Sequence, residues 1–371
     1  MGYKDLHIKP FDKGTIAKLE IFEDYAQAWI PTFVMQSASE IHIFDFFSGP
    51  GYDSKMVPGS PIRLLKKINE HLGNILNRGT KIVLHLNEFE PNKKKQAKFE
   101  MLKENCCHFI QEQPKFKYFL KVHYYNESAE QLFFNLLPLI EEYPSLVYLD
   151  QNGVKFVSEE YINKFESLNT TDFLYFVSSS FFKRFGTTDE FKRVLDFDLE
   201  NFEKAEYRNI HRLVIEKIKS KLSQNTKLKL FPFSIKKGAN IYGIIFGAKH
   251  FRAVDKFLDI AWKRNKLNGE ADFDIDEDLG KGQLYLFGSK KMTKIEKFQN
   301  DLEKKILKGE LVTNQDVLIY TYESGHSPQH STELVKRLKG AQLHYEGRTP
   351  GINYDNVFKK KNIVNYTLKK N

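Results

Sequence analysis

The run Glu40-Ile41-His42-Ile43-Phe44-Asp45-Phe46-Phe47-Ser48-Gly49-Pro50-Gly51 decides how this chain is read. Its first part is dominated by isoleucine and phenylalanine, which favour a strand, and it breaks abruptly at Ser48-Gly49-Pro50-Gly51, a turn. Asp45 precedes Gly49 and Gly51, so an acid stands beside residues that let a backbone come close to a ligand. After a polar loop, Gly59-Ser60-Pro61 opens IRLLKKINEHL, a helix with Ser60 at its N-cap and Pro61 at its first position, where the missing N–H costs nothing. A second strand, Lys81 to Leu86, ends in Asn87-Glu88-Phe89-Glu90-Pro91 and leads to a lysine-rich helix through Leu102. Further strands follow at Phe119 to Tyr125, Leu146 to Leu149 and Phe173 to Val177, with a helix from Ala129 to Glu141 between the first two. Two more strands, near Leu228 to Phe233 and Tyr242 to Phe246, bracket a hairpin-like Lys236 to Asn240. Upstream, Thr15 to Phe33 has the spacing of an amphipathic entry helix with Pro31 as its stop. Strands alternating with helices predict right-handed crossovers and a doubly wound, mostly parallel α/β sheet.

At 371 residues the chain is long enough for two or three domains of about 150 residues. With 41% hydrophobic and 28% charged residues it is neither disordered nor of low complexity. No apolar run reaches the ~20 residues that span a bilayer, and MGYKDLHIKPFDKG lacks the features of a signal peptide, so no membrane and a cytoplasmic location are expected. Cys106 and Cys107 are adjacent, which leaves no disulfide framework, zinc site or iron-sulfur cradle. The net charge of +9 is uneven: from Lys290 onward 16 Lys and Arg face 9 Asp and Glu, a net of +7. In that basic tail, Lys294 to Leu307, Asn314 to Tyr322 and Ser331 to Leu338 read as helices, and LHYE and NIVNYTL as β-like pieces. Three short helices and a hairpin predict a winged helix-turn-helix. An acidic loop from Gly269 to Lys281 and a last strand, QLYLF, precede it, giving expected domains of 1–289 and 290–371.

Taken in order, DFFSGPG with the delayed GSPIRLL, LNEFEP, LVYLDQNG, FLYFVSSSFFKRF and YGIIFGAKHFRAVDKFLDIAWKRN resemble the three-Cys-motif partner proteins over about Thr15 to Leu286. The spaced GPG and GSP and the Ala261-Trp262-Lys263 end are the most specific pieces. The resemblance implies a class I methyltransferase-like Rossmann domain, S-adenosyl-L-methionine as cofactor and a C-terminal winged helix. It also implies a partner protein bearing the cysteine motif, encoded nearby in bacterial mobile or defence loci. One departure stands out. The family tends to carry Asp-Pro-Phe-Gly at the fourth strand, and here it is Asp150-Gln151-Asn152-Gly153.

In that frame the candidate cofactor residues are Asp45, Phe46, Phe47, Ser48, Gly49, Pro50, Gly51 and Ser60, with Glu88 and Phe89 at the second strand tip and Asn126 and Glu127 at the third. Glu88 is placed to accept the ribose hydroxyls. Asp150 and Gln151 are the candidate catalytic pair, Asp150 orienting or deprotonating an acceptor, although a strand-end aspartate capping a turn has the same appearance. An amino-methyltransferase mechanism needs an aromatic residue to stack on a flipped base, and that residue is missing at the fourth strand. A cytosine-C5 mechanism needs a Pro-Cys nucleophile, and neither cysteine follows proline. In the winged helix, Gln329, His330 and Thr332 are the candidate base readers and Lys336, Arg337, Lys339 and Arg348 the candidate phosphate contacts with DNA or RNA; docking a protein is the competing use. His326 and His330 are broken by Pro328 and do not form a metal pair, and Lys93, Lys94, Lys95 and Lys98 read as a solvated face. Two functions remain open: a methyltransferase, and a non-catalytic subunit that binds the cofactor or another nucleotide and serves its partner.

Overall fold

The structure, a computed structural model, describes residues 10–91, 97–150, 156, 158–178, 206–238, 240–281 and 291–369. The chain divides into two compact units, 1–249 and 250–371.

The first unit is built on seven strands: β1 (Glu40–Asp45), β2 (Lys81–Asn87), β3 (Leu120–Tyr125), β4 (Ser145–Leu149), β5 (Thr171–Ser178), β6 (Lys229–Lys237) and β7 (Asn240–Ala248). Their order is β3-β2-β1-β4-β5-β7-β6, with β1 to β5 parallel and β7 antiparallel to both β5 and β6. This is the doubly wound order with one antiparallel strand set into its far side, a class I methyltransferase-like Rossmann sheet. The order reverses between β1 and β4, so the crevice for a ligand lies at their carboxyl ends.

One face of the sheet buries Phe44, Phe46, Val147 and Leu149 against helices α5 (Ala129–Glu142), α6 (Glu159–Ser167) and α7 (Ile210–Lys221). The other face receives α1 (Lys13–Met35), whose Phe22 stacks on Tyr148 with ring centroids 4.0 Å apart. Helices α2 (Ser60–Glu70) and α3 (Leu72–Arg78) follow β1, and α4 (Ala97–Gln111) follows β2. Helix α4 runs four residues past Cys107, so the cysteine pair lies inside the helix, Cys106 buried and Cys107 exposed.

The entry helix does not stop at Pro31 but continues to Met35. A proline inside a helix frees the carbonyl four residues earlier. Here that carbonyl belongs to Gln27, and it accepts a hydrogen bond from His71 Nε2 at 3.1 Å. The lost partner is supplied by a side chain just ahead of α3, and the helix carries on.

A polar chain crosses the sheet beside Phe44. His42 Nε2 is 2.8 Å from Glu40, His42 Nδ1 is 3.0 Å from His85 Nε2, and His85 Nδ1 is 3.0 Å from the Tyr125 hydroxyl. An ionised Glu40 only accepts, so His42 donates to it from Nε2 and accepts at Nδ1 from His85, which in turn accepts from Tyr125. Burial pushes His85 down to about 3, which keeps the ring neutral.

In the second unit, α8 (Phe251–Arg264) and the short α9 (Asp278–Lys281) precede three helices, α10 (Lys294–Leu307), α11 (Asn314–Glu323) and α12 (Pro328–Leu338). Thr293 and Thr313 form capping boxes with Glu296 and Asp316. Strands β8 (Leu343–His344) and β9 (Thr367–Leu368) pair antiparallel as the wing. Trp262 of α8 donates from Nε1 to the Gly325 carbonyl at 2.9 Å, and the Tyr322 hydroxyl donates to Asp255 at 2.7 Å. Those contacts count α8 with the winged helix, whereas charge placed the boundary at 289/290. The expected strand QLYLF lies outside the described residues.

Candidate functional site

The glycine turn sits where β1 ends. Gly49 and Gly51 have φ of +66° and +97°, the left-handed region that favours glycine. A Cβ at Gly51 would also lie 3.2 Å from Asn105 Cβ, while the Asn105 amide donates to the Pro50 carbonyl at 2.7 Å. Asp45 is 1% exposed and both of its oxygens are engaged. Oδ2 accepts from the Ser60 hydroxyl at 2.6 Å and Oδ1 from the Phe47 N–H at 3.2 Å. Gly59 is the N-cap of α2, and Ser60, its first residue, spends its hydroxyl on Asp45 instead of on capping.

The chain between the turn and α2 closes on itself. The Gly59 N–H donates to the Gly51 carbonyl at 2.8 Å, Tyr52 and Pro58 form an antiparallel bridge, and Asp53 accepts from the amides of Lys55 and Val57, each at 2.8 Å. The insertion implied by the delayed GSP is therefore a folded hairpin that brings α2 back under the glycine turn.

Glu88 reaches the same turn from the tip of β2. It is buried, and its Oε2 accepts from the Gly49 N–H at 3.0 Å. Burial pushes its carboxyl up to about 7, against the opposing effect of Lys98. Burial likewise pushes Asp45 up to about 6, while the Ser60 hydrogen bond pulls the other way. Glu90 is used differently: its carboxylate accepts from the amides of Lys98 and Phe99 at 2.9 and 3.0 Å, holding the start of α4. The Asn126 side chain accepts from the Glu90 N–H at 2.8 Å.

Asn87 is the residue that sequence reasoning missed. Its amide donates to the carbonyls of Phe46 and Glu127 and accepts from the Glu127 N–H, and its own carbonyl accepts from the Ser48 N–H. It fastens the tips of β1, β2 and β3 together. The available signal was an amide side chain directly before the strand-end acid. Among the other expected residues, the Ser48 hydroxyl donates to the Asp45 carbonyl at 3.0 Å. Phe46 buries its ring against Phe133 and Phe156 in the core, so that ring cannot line a ligand. Phe47 packs edge-on to Phe156, and Phe89 is exposed.

At the tip of β4, Asp150 accepts from the ammonium of Lys18 on α1. That ammonium also lies 4.2 Å from the centroid of the Phe176 ring. Asp150 is thus paired to a cation that sequence reasoning did not connect with it. Gln151, its expected partner in catalysis, lies outside the described residues, as do Lys93, Lys94 and Lys95.

In the winged helix, Gln329, Lys336, Arg337, Lys339 and Arg348 are exposed and Thr332 is half-buried. The Gln329 amide donates to Glu333 at 2.8 Å. Lys339 donates to the Gly347 carbonyl at 2.6 Å and covers the Tyr345 ring, bracing the wing. His330 is a correction: it is buried edge-on to Trp262, with its Nδ1 3.1 Å from that of His326, and so belongs to the core and not to a reading face. Burial lowers it to about 4.

The strand order makes the first unit a class I methyltransferase-like fold, and the second unit carries a winged helix. Residues 272–350 match the GMT-like wHTH domain family. Residues 187–247 match the WH2 domain of the initiator Rep proteins. The described part of that second stretch includes the β6–β7 hairpin of the seven-stranded sheet and α7, which packs on that sheet. Two solved structures are similar at 10% identity. One is Trm1 from Pyrococcus horikoshii with S-adenosyl-L-methionine, at a TM-score of 0.34 over 66% of this chain and 59% of that one. The other is a candidate O-methyltransferase from Klebsiella pneumoniae, at 0.29 over 64% of this chain and 90% of that one. The chain thus spans about three fifths of the Trm1 structure. No curated protein matches it. Among the described residues, no helix is long and apolar enough to cross a membrane.

Proposed function

We propose that the first unit binds S-adenosyl-L-methionine at the carboxyl ends of β1 and β2 and transfers its methyl group, and that the winged helix recruits nucleic acid to it. The observation that carries this reading is the convergence of the β2 acid on the β1 glycine turn, with Glu88 one hydrogen bond from Gly49. A bound nucleoside would take the Glu88 carboxylate with its ribose hydroxyls, and the open backbone of Gly49 to Gly51 would admit its amino-acid arm. Asp45 fixes the turn through Ser60. A protein with the cysteine motif is the proposed partner, on the resemblance alone.

A second reading is a binding subunit without turnover. The Lys18–Asp150 pair favours it over transfer to an external acceptor, because the carboxylate expected to serve that acceptor is already engaged by the chain's own lysine.

Calorimetry with S-adenosyl-L-methionine, followed by mass spectrometry of nucleic acid and of the co-expressed partner, separates the two. Methylated product supports the enzyme, and binding without product supports the subunit. A folded protein that binds neither the cofactor nor its demethylated product at millimolar concentration sinks both. For the winged helix, duplex binding should weaken with salt, and neutralising Lys336 or Arg337 should each reduce the logarithmic salt slope by about 0.9 on B-DNA. A salt-independent interaction assigns the domain to protein docking.

A further inference from the structure

We propose that Asp150 and Phe176 form a cradle for a methyl-accepting amine and that Lys18 is its resident acceptor, so that the protein methylates its own Lys18. This rests on the reading above that S-adenosyl-L-methionine binds at the glycine turn.

The first argument is position. Asp45 and Tyr148 are register partners in the β1–β4 pair, so the tip of β4 lies beside the turn that would hold the methyl donor. Asp150, two residues beyond Tyr148, is close enough for its charge to hinder ionisation of Asp45. An amine resting on Asp150 is therefore on the acceptor side of the crevice.

The second is confinement. Lys18 is 8% exposed, an unusual state for a lysine, and its ammonium is held by a carboxylate on one side and an aromatic face on the other. Phe176 is itself backed by Tyr242, stacked at 5.5 Å. Successive turns of α1 pin the helix by the Phe22–Tyr148 stack and by the Tyr25 hydroxyl, which donates to Asp172 at 2.7 Å. The amine is thus preorganised and not free to swing.

The third is an unmet polar group. The Tyr148 hydroxyl is buried and finds no hydrogen-bond partner among the described residues. It interacts electrostatically with both Asp45 and Asp150. A buried hydroxyl left without a partner is costly, and this one lies within electrostatic reach of both carboxylates, on the side of the sheet that faces α1.

The step balances. The Lys18 ammonium gives one proton to Asp150 and through it to solvent, and the freed nitrogen lone pair forms the N–C bond to the methyl group. The C–S bond breaks with its electron pair left on sulfur, turning the sulfonium into the thioether S-adenosyl homocysteine. Methylated lysine keeps its charge, and the Phe176 face that holds an ammonium also suits a methylammonium, so the product stays in the cradle.

The full-length protein would be analysed by intact mass, as purified and after incubation with S-adenosyl-L-methionine, alongside calorimetric titration of the same ligand. A gain of one methyl group, about 14 Da, mapped to Lys18 is expected. It should be absent in Lys18→Arg and slowed at least tenfold in Asp150→Asn, with ligand binding retained in Lys18→Arg. Binding without any gain overturns self-methylation and leaves the cofactor site standing. A gain that persists in Lys18→Arg or maps to another residue also overturns it. Absence of binding removes the cofactor site and the proposal together.

Discussion

At the scale of single residues, Gly51 and Glu88 carry the most exposed predictions. Gly51 has φ of +97° with Asn105 against the space a Cβ would fill. A β-branched side chain there is strained by its backbone and blocked by its neighbour. Gly51→Val should lose S-adenosyl-L-methionine binding in calorimetry, and unchanged affinity would move the site elsewhere. Glu88 has its carboxyl raised to about 7, so near neutrality a large part of it holds a proton. Ribose hydroxyls donate to the carboxylate, not to the acid, so the ligand selects the ionised form. Affinity should therefore rise between pH 6 and pH 8 with proton release on binding, seen as a heat that depends on buffer ionisation. Glu88→Gln should flatten that dependence, and Glu88→Ala should cost about 1.5 to 3 kcal/mol of binding. Asp45, Gly49, Gly51 and Glu88 were legible because strand-end acids and glycines stand out locally. Lys18 and Asn87 were not, since their roles depend on strands distant in sequence.

At the scale of elements, the entry helix shows how a correct local rule gives way to a tertiary contact. Proline frees one carbonyl, and His71 takes it. Replacing His71 by alanine should cost about 1 kcal/mol, the lower end for an unsatisfied group at a partly buried site. Pro31→Ala restores an N–H for Gln27, so the same His71→Ala change made in that background should cost measurably less. Equal costs by denaturant titration in the two backgrounds would break the link. Strand positions were readable because β4 is a nearly continuous apolar run and β1 and β2 are rich in isoleucine, leucine, valine and phenylalanine, interrupted by the buried His42 and His85, as suits strands covered on both faces. Strand order was not readable, because register and neighbours are set by packing of whole helices.

At the scale of the whole molecule, the compact units divide at 249/250, whereas the basic excess and the expected boundary lie at 289/290. The basic excess begins at Lys290, yet Trp262 and Asp255 of α8 make their hydrogen bonds to Gly325 and Tyr322. A fragment of 250–371 should unfold cooperatively, whereas one of 290–371, stripped of Trp262, should be markedly less stable or unfolded. Equal melting of the two by circular dichroism would return the boundary to its charge-based place. Charge reports which surface meets solvent. It carries no information on which helix completes a core.

Helix α1 has a consequence in time. It is the first described element to leave a ribosome, but Lys18 finds Asp150 132 residues later and Tyr25 finds Asp172 147 residues later. At about 5 to 20 residues per second, the helix waits roughly 7 to 30 seconds with Phe22, Tyr25 and Trp29 uncovered. Over that interval this face stays open to a chaperone or to a second nascent chain.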